Sequence, residues 1–178
     1  MNICVFGAAR DEIGADFLAL GETLGRELAR RGHTLVFGAG GHGMMGAAAR
    51  GARAQGGRII GIAPRFFQTP GVLFEHCTEL VLTETMAERK TIMEESAGAF
   101  IALPGGIGTM EEVFETITLS SLGRMKKMTA FLDAEGYWEK AVELLQNAVA
   151  KGFAEASLAE HYAYFTDAAA CLAALEKF

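Results

Sequence analysis

Short apolar runs that do not alternate with polar residues recur along this chain, all but one followed by a stretch of helical spacing, and few folds accept that pattern. The runs are Asn2–Ala8, Thr34–Gly38, Arg58–Ala63, Glu79–Thr83, Ala99–Leu103 and Met128–Asp133, with a further short one at Tyr162–Phe165. A strand that alternates buries one face; a strand that does not is buried on both, which requires helices above and below a parallel sheet. The intervening stretches supply those helices. Phe17, Leu20, Leu24 and Leu28 recur at helical spacing up to Arg31-Gly32, a basic end followed by a C-cap glycine. Further helices are predicted over Met44–Gln55, Thr85–Ala97, from the Pro104–Thr109 turn to about Leu122, and over Trp138–Ala150 and Ala168–Lys177. The expectation is a single α/β domain over residues 1–178, and 51% apolar content gives it a core that needs neither disulfides nor a structural metal.

Composition removes several function classes. Cys4, Cys77 and Cys171 are odd in number and scattered, with no Cys-x-x-Cys pair, so a reducing cytoplasm is the expected compartment. Charges or turn residues interrupt each apolar stretch well short of the roughly 18 residues that span a bilayer, and no secretory signal precedes the first strand. With 16 basic against 22 acidic side chains, the net charge of −6 argues against a general nucleic-acid binder. The four histidines are too far apart for metal-ligand spacing. From Leu28 to Phe74 there is no Asp or Glu, while Arg30, Arg31, Arg50, Arg53, Arg58 and Arg65 fall in that stretch, which is also rich in glycine. Such a region suits a small anion, or else holds arginines that merely solvate helix surfaces.

In a parallel sheet the ligand lies over the carboxyl ends of the strands, on the strand-to-helix turns. Three of these turns are rich in small residues: Gly7-Ala8-Ala9, Gly38 to Gly46 and Pro104 to Thr109. Glycine lets backbone N–H groups approach a phosphate, and the following helix N-terminus favours its charge. Gly38-Ala39-Gly40-Gly41-His42-Gly43 fits the dinucleotide pattern G-x-G-x-x-G, yet no acid follows until Glu75, where a NAD site wants one about 20 positions on. An NADP site would draw on Arg58 or Arg65 instead. In the third turn Thr109 and Glu112 stand in the relation T-x-x-E, compatible with a capping box as well as with catalysis. Arg89-Lys90, within the helix Thr85–Ala97, reads either as a solvated face or as part of a site.

Together these residues resemble the LOG (Lonely Guy) family of cytokinin-activating phosphoribohydrolases. Pro104-Gly105-Gly106-Ile107-Gly108-Thr109-Met110-Glu111-Glu112 is similar to its PGGxGTxxE signature, and Met86-Ala87-Glu88-Arg89-Lys90 to its M-x-x-R-K element. Phe37 to Gly46 is similar to its YGGGxxGLMG loop, and Ile59–Pro64 and Asp133–Trp138 also fit. The likeness runs from Ile3 to about Gly152. It implies a Rossmann-like three-layer sandwich, a central parallel sheet with helices on both faces, assembled as a homodimer. It further implies hydrolysis of N6-modified adenosine 5′-monophosphates to free base and ribose 5-phosphate, with no cofactor and no metal. Arg89 and Glu112 would be the catalytic pair. Lys90, Met86, Gly40 and Arg10 would contact the substrate, and Gly105, Gly106, Gly108 and Thr109 would cradle its phosphate.

Three departures bear on base preference more than on the reaction. The family's Gly-Ser-Ser after the first strand is Ala8-Ala9-Arg10 here, its frequent aromatic after Gly-Gly is Ile107, and its Thr-Trp is Thr118-Leu119. Some members carry an older lysine decarboxylase label; that chemistry calls for pyridoxal phosphate, for which this sequence shows no site. The alternative from another class is a non-catalytic carrier of a nucleotide or of the molybdenum cofactor on the same rim. For binding alone, the pairing of Arg89 with Glu112 has no purpose.

Overall fold

The computed structural model describes residues 1–178. In chain order the elements are β1 (Asn2–Phe6), α1 (Ala15–Arg30), β2 (Thr34–Phe37), α2 (Gly43–Ala54), β3 (Ile59–Pro64), β4 (Glu79–Thr83), α3 (Met86–Ser96), β5 (Ala99–Ala102), α4 (Ile107–Ser121), β6 (Thr129–Leu132), α5 (Glu139–Ala150), β7 (Tyr162–Phe165) and α6 (Ala168–Leu175). Short 3-10 turns at Arg65–Phe67 and Ala156–Glu160 complete the path. All seven strands pair in parallel, in the order β4-β3-β2-β1-β5-β6-β7. The fold is the Rossmann-like three-layer sandwich expected.

Burial explains why the strands lack alternation. Ile3 and Val5 of β1 face one layer, packed with Leu24 and Leu28 of α1, Met44 and Ala48 of α2 and Leu172 of α6. Cys4 and Phe6 face the other, with Met93 of α3, Val113 and Ile117 of α4, and Trp138 before α5. Both faces are therefore apolar, and the register is fixed by burial on either side. The chain winds outward from β1 to β4, then crosses back to lay β5 against the other edge of β1, where Ile3 opposes both Leu35 and Ala99. Neighbouring strand ends part at that reversal, which opens a crevice between the turns after β1 and β5.

Local chemistry sets the element ends that differ from the sequence-based expectation. The first strand stops at Phe6, because the Ala8 N–H leaves the sheet to donate to the Pro104 carbonyl, 3.0 Å away. Trp138 precedes its helix instead of opening it, its N–H donating to Asp133 Oδ1 at 3.2 Å. Gly32, at φ +73°, takes the left-handed backbone expected of a helix C-cap.

Helices α1 and α2 approach unusually closely. A Cβ on Gly25 would overlap the Ala48 carbonyl, and one on Gly51 the Glu22 carbonyl. This approach holds the start of α2 against the turn after β1. Since the obstructing atoms are backbone, Gly25→Ala is expected to destabilise the fold by about 1–3 kcal/mol or more, as overpacked cores do. Urea unfolding measures it; an unchanged midpoint would mean the two helices are not held at this distance.

Candidate active site

A cavity of about 740 Å³ lies over the strand ends at the β1/β5 reversal. All three glycine-rich turns contribute, through Gly7–Arg10, through Gly38, Gly40, His42, Met44 and Met45, and through Pro104–Gly106, Gly108 and Thr109. Met86 and Arg89 enter from α3 and Glu112 from α4. The remaining wall is Ile13 just before α1 and Phe17 in its first turn, Phe67, Val72 and Leu73 from the β3–β4 connection, and Tyr137.

Arg89 is 6% exposed, and its partner Glu112 is nearly as enclosed. The guanidinium donates from Nη1 to Glu112 Oε1 at 2.7 Å and from Nε to the carbonyl of Ile62, within β3, at 3.2 Å. Its Nη2 occupies space that a Cβ on Gly38 would need. The first glycine of the G-x-G-x-x-G pattern thus makes room for an arginine of the same chain. Burial pushes Glu112 above the ordinary carboxylate pKa, with the Arg89 charge and hydrogen bond opposing it. A carboxylate with raised basicity, fixed at one oxygen and facing a cavity, is equipped to position or deprotonate water.

The capping-box reading of Thr109 and Glu112 does not hold. Helix α4 begins at Ile107 after Gly106 and has no side-chain cap, and Glu112 in its second turn bonds Arg89. Side-chain capping belongs instead to α3, where the N-cap Thr85 accepts from the Glu88 N–H and the Glu88 carboxylate accepts from the N–H of Glu84, one residue before the cap.

Lys90, expected beside the catalytic pair, does not line the cavity. One residue along a helix turns the side chain by roughly 100°, so with Arg89 facing inward Lys90 points to Glu111 and to Glu115, the latter 2.7 Å away.

The glycine loops divide their tasks. At α2 the anion position is filled by the protein itself: Asp11 Oδ1 accepts from the Gly43 N–H at 2.8 Å, and Oδ2 meets His42 Nδ1 at 2.5 Å. His42 Nε2 in turn reaches the Gly71 carbonyl at 2.7 Å. A pyrophosphate would have to displace that carboxylate, which removes the dinucleotide reading. Nor do the six arginines of the acid-free stretch supply an anion site, for none lines the cavity. Acids from outside the stretch fold back onto it: Arg58 pairs with Glu79, Arg65 with Glu84, and Arg31 with Glu27 and Glu176.

The turn before α4 is open. Gly106 and Gly108 have no neighbour within 4 Å of an added Cβ, and neither has positive φ, so the fold itself does not demand glycine at either position. What their bareness leaves is accessible backbone, with the Gly106, Ile107, Gly108 and Thr109 amides donating to no protein acceptor. Gly105 differs, because a Cβ there would overlap the Thr109 side chain. Arg10 stands at the rim, 83% exposed in its side chain, with Glu12 at 3.6 Å. Of the other expected contacts, Met86 and Gly40 both line the cavity.

Sequence reasoning missed Tyr137, Phe67, Val72 and Leu73, which come from connections rather than from glycine turns, and Phe17, whose helical spacing marks it only as core. The Asp133–Trp138 element was the one available signal for Tyr137. No group of three or more His, Cys, Asp or Glu side chains is placed to hold a metal ion.

A family model described as "Possible lysine decarboxylase" matches residues 45–175. The chain is 37% identical over 153 residues to the cytokinin riboside 5′-monophosphate phosphoribohydrolase of Rhodococcoides fascians, covering 85% of this chain and 77% of that protein. It is 36% identical over 152 residues to the phosphoribohydrolase LOG of Oryza sativa subsp. japonica, covering 85% of this chain and 63% of that one. With the Mycobacterium tuberculosis phosphoribohydrolase it shares 41% over 125 residues, 70% of this chain and 67% of the relative. Among solved structures, the molybdenum cofactor carrier protein of Chlamydomonas reinhardtii superposes with a TM-score of 0.75 at 23% identity, covering 99% of this chain and 96% of that one. That last likeness is one of fold.

The strap through His42 makes a testable statement about pH. Both ring nitrogens face acceptors, so the imidazolium form satisfies both, and its pKa is raised by the Gly71 carbonyl and by Asp11. Asp11 is lowered by the Gly43 N–H and by His42. The His42 contribution is complete below its unfolded pKa and is lost as pH rises through its folded one. The Asp11 contribution holds above its unfolded pKa and is lost as pH falls through its folded one. By NMR titration His42 is expected to have a midpoint above about 6.5, and Asp11→Asn to lower it. Equal midpoints in parent and variant would refute the strap.

Proposed function

Because the chain belongs to the LOG family, whose model carries the lysine decarboxylase description, we propose that it hydrolyses the N-glycosidic bond of adenosine 5′-monophosphates, N6-modified ones included. The products are the free base and ribose 5-phosphate. The chain spans between 63% and 77% of the length of the two phosphoribohydrolases from Rhodococcoides fascians and Oryza sativa. One observation carries the reading: the buried Arg89–Glu112 pair sits in the same cavity as a helix N-terminus whose amides are free.

The 5′-phosphate lies on the amides of Gly106 to Thr109, with Arg10 swinging in from the rim as a second charge. Phe17, Met45, Phe67, Leu73 and Met86 give the base an apolar enclosure, and about 740 Å³ accommodates a nucleotide. Breaking the ribosyl C–N bond develops oxocarbenium character at the anomeric carbon. Glu112 stabilises that charge and directs a water onto the carbon; the water's hydroxyl stays on the sugar and the base departs with a proton. Arg89 keeps the carboxylate oriented and ionised despite its burial. Lys90 takes no part in this arrangement.

A homodimer belongs to the same reading. Met86 and Leu122 are exposed on α3 and at the end of α4, and Ile107 is 84% exposed at the start of α4, beside the cavity. A two-fold contact would cover this apolar surface. Light scattering at micromolar concentration should give twice 19.0 kDa, and a fully active particle of 19.0 kDa would rule the dimer out. A cytoplasmic setting is supported by the three free cysteines.

The deciding assay incubates the protein with adenosine, adenosine monophosphate and an N6-substituted monophosphate, and reads released base by chromatography. Two charge-assisted hydrogen bonds to phosphate imply a preference of roughly a hundredfold or more for the monophosphate over the nucleoside. Glu112→Gln keeps an oxygen for Arg89 but loses charge and basicity, so turnover should fall at least about a hundredfold while nucleotide binding persists. Binding without base release in the parent would return the protein to the carrier class. A variant as fast as the parent would remove Glu112 from the mechanism.

A further inference from the structure

The hydroxyl of Tyr137 has a use that the core does not explain. Its neighbour Trp138 is the anchor: fully buried and tilted against Phe131, it donates from Nε1 to the carbonyl of Ala102, the last residue of β5, at 3.1 Å. Asp133 at the end of β6 takes the Trp138 N–H on one oxygen and the Tyr164 hydroxyl on the other. Between these anchors the chain turns sharply, with Glu135 at φ +57° and Gly136 at φ +74°. A residue bearing a side chain rarely adopts that left-handed backbone, and such strain persists where the surroundings impose it. The turn brings Tyr137 up to the rim, where its O–H donates to the Gly105 carbonyl and its ring meets Phe17 edge-on at 6.5 Å.

Gly105 and Gly106 flank one peptide bond, and a peptide between two glycines flips readily because neither Cβ resists it. Across a trans peptide the carbonyl and the next N–H point in opposite directions. Holding the Gly105 carbonyl therefore fixes the direction of the Gly106 N–H. A flip would exchange that donor for a carbonyl oxygen and turn an anion cradle into an anion repellent.

We propose that Tyr137 is a positioning residue for phosphate recognition: its hydroxyl locks the Gly105–Gly106 peptide in the orientation that presents the Gly106 N–H to the substrate. The inference rests on the reading of the α4 N-terminus as the phosphate cradle. Tyr137→Phe keeps the ring and its packing and removes only the lock. With adenosine monophosphate as substrate, the variant should show KM raised roughly tenfold, the selectivity for monophosphate over adenosine lowered by the same factor, and a near-parental melting temperature. Product inhibition separates phosphate from base. The inhibition constant for ribose 5-phosphate should weaken in parallel, while that for adenine stays at the parent's value. Unchanged selectivity, or equal weakening toward ribose 5-phosphate and adenine, would overturn the proposal. A parent protein that shows no preference for the monophosphate defeats the functional reading itself, and this inference with it; the two failures are told apart by whether parent or variant departs from expectation.

Discussion

An arginine and a glutamate held almost out of water organise this rim. Removing two charges from solvent is unfavourable unless their polar atoms find partners in good geometry, and the guanidinium meets that condition through the Ile62 carbonyl and the Glu112 carboxylate. Satisfying it requires the C-terminal half of β3, the bare backbone after β2 and the second turn of α4 to arrive together. A parallel sheet makes this meeting achievable, because every strand ends on the same edge. The side-chain caps on α3 and the close approach of α1 to α2 then fix the directions from which the helices enter.

Two turns of similar composition acquire opposite electrostatic roles in this setting. At α2 a carboxylate of the protein itself, Asp11, occupies the helix N-terminus, and the loop is tied through His42 to the β3–β4 connection. At α4 no side chain intervenes, and the amides remain available to a ligand. One turn is structural because its donors are already used; the other is receptive because they are not. The distinction lies in which residue folds back, and glycine content carries no trace of it.

The fold was legible because its signal is local. Uniformly apolar strands and capped amphipathic helices announce themselves within each segment, and element ends shifted only where a single hydrogen bond, such as Trp138 N–H to Asp133, intervened. Arg89 and Glu112, the proposed catalytic pair, were singled out through motif resemblance, and the structure supplied what spacing could not, a direct bond between them in place of a helix cap. Charge was the poorest guide. Six arginines in an acid-free stretch looked like an anion site, yet glutamates distant in sequence meet several of them. Arg89 and Lys90 are adjacent in sequence but diverge on the helix, so only one could enter the cavity. Tyr137 and Leu73 reach the rim from connections whose paths depend on tertiary anchors.

Gly38 and Arg89 compete for one volume, and that constrains which substitutions the two positions accept. A chain of this fold that exchanged its arginine for a smaller residue would release the glycine from its constraint, and side chains could accumulate there without disturbing the sheet. The reverse passage is closed: once a side chain fills the space, an arginine arriving at position 89 finds no room to reach the carboxylate. Losing the pair takes one substitution, and rebuilding it once position 38 is filled takes two. The missing side chain at position 38 is thus part of the site although it bears no functional group: it is the room in which the guanidinium reaches the carboxylate.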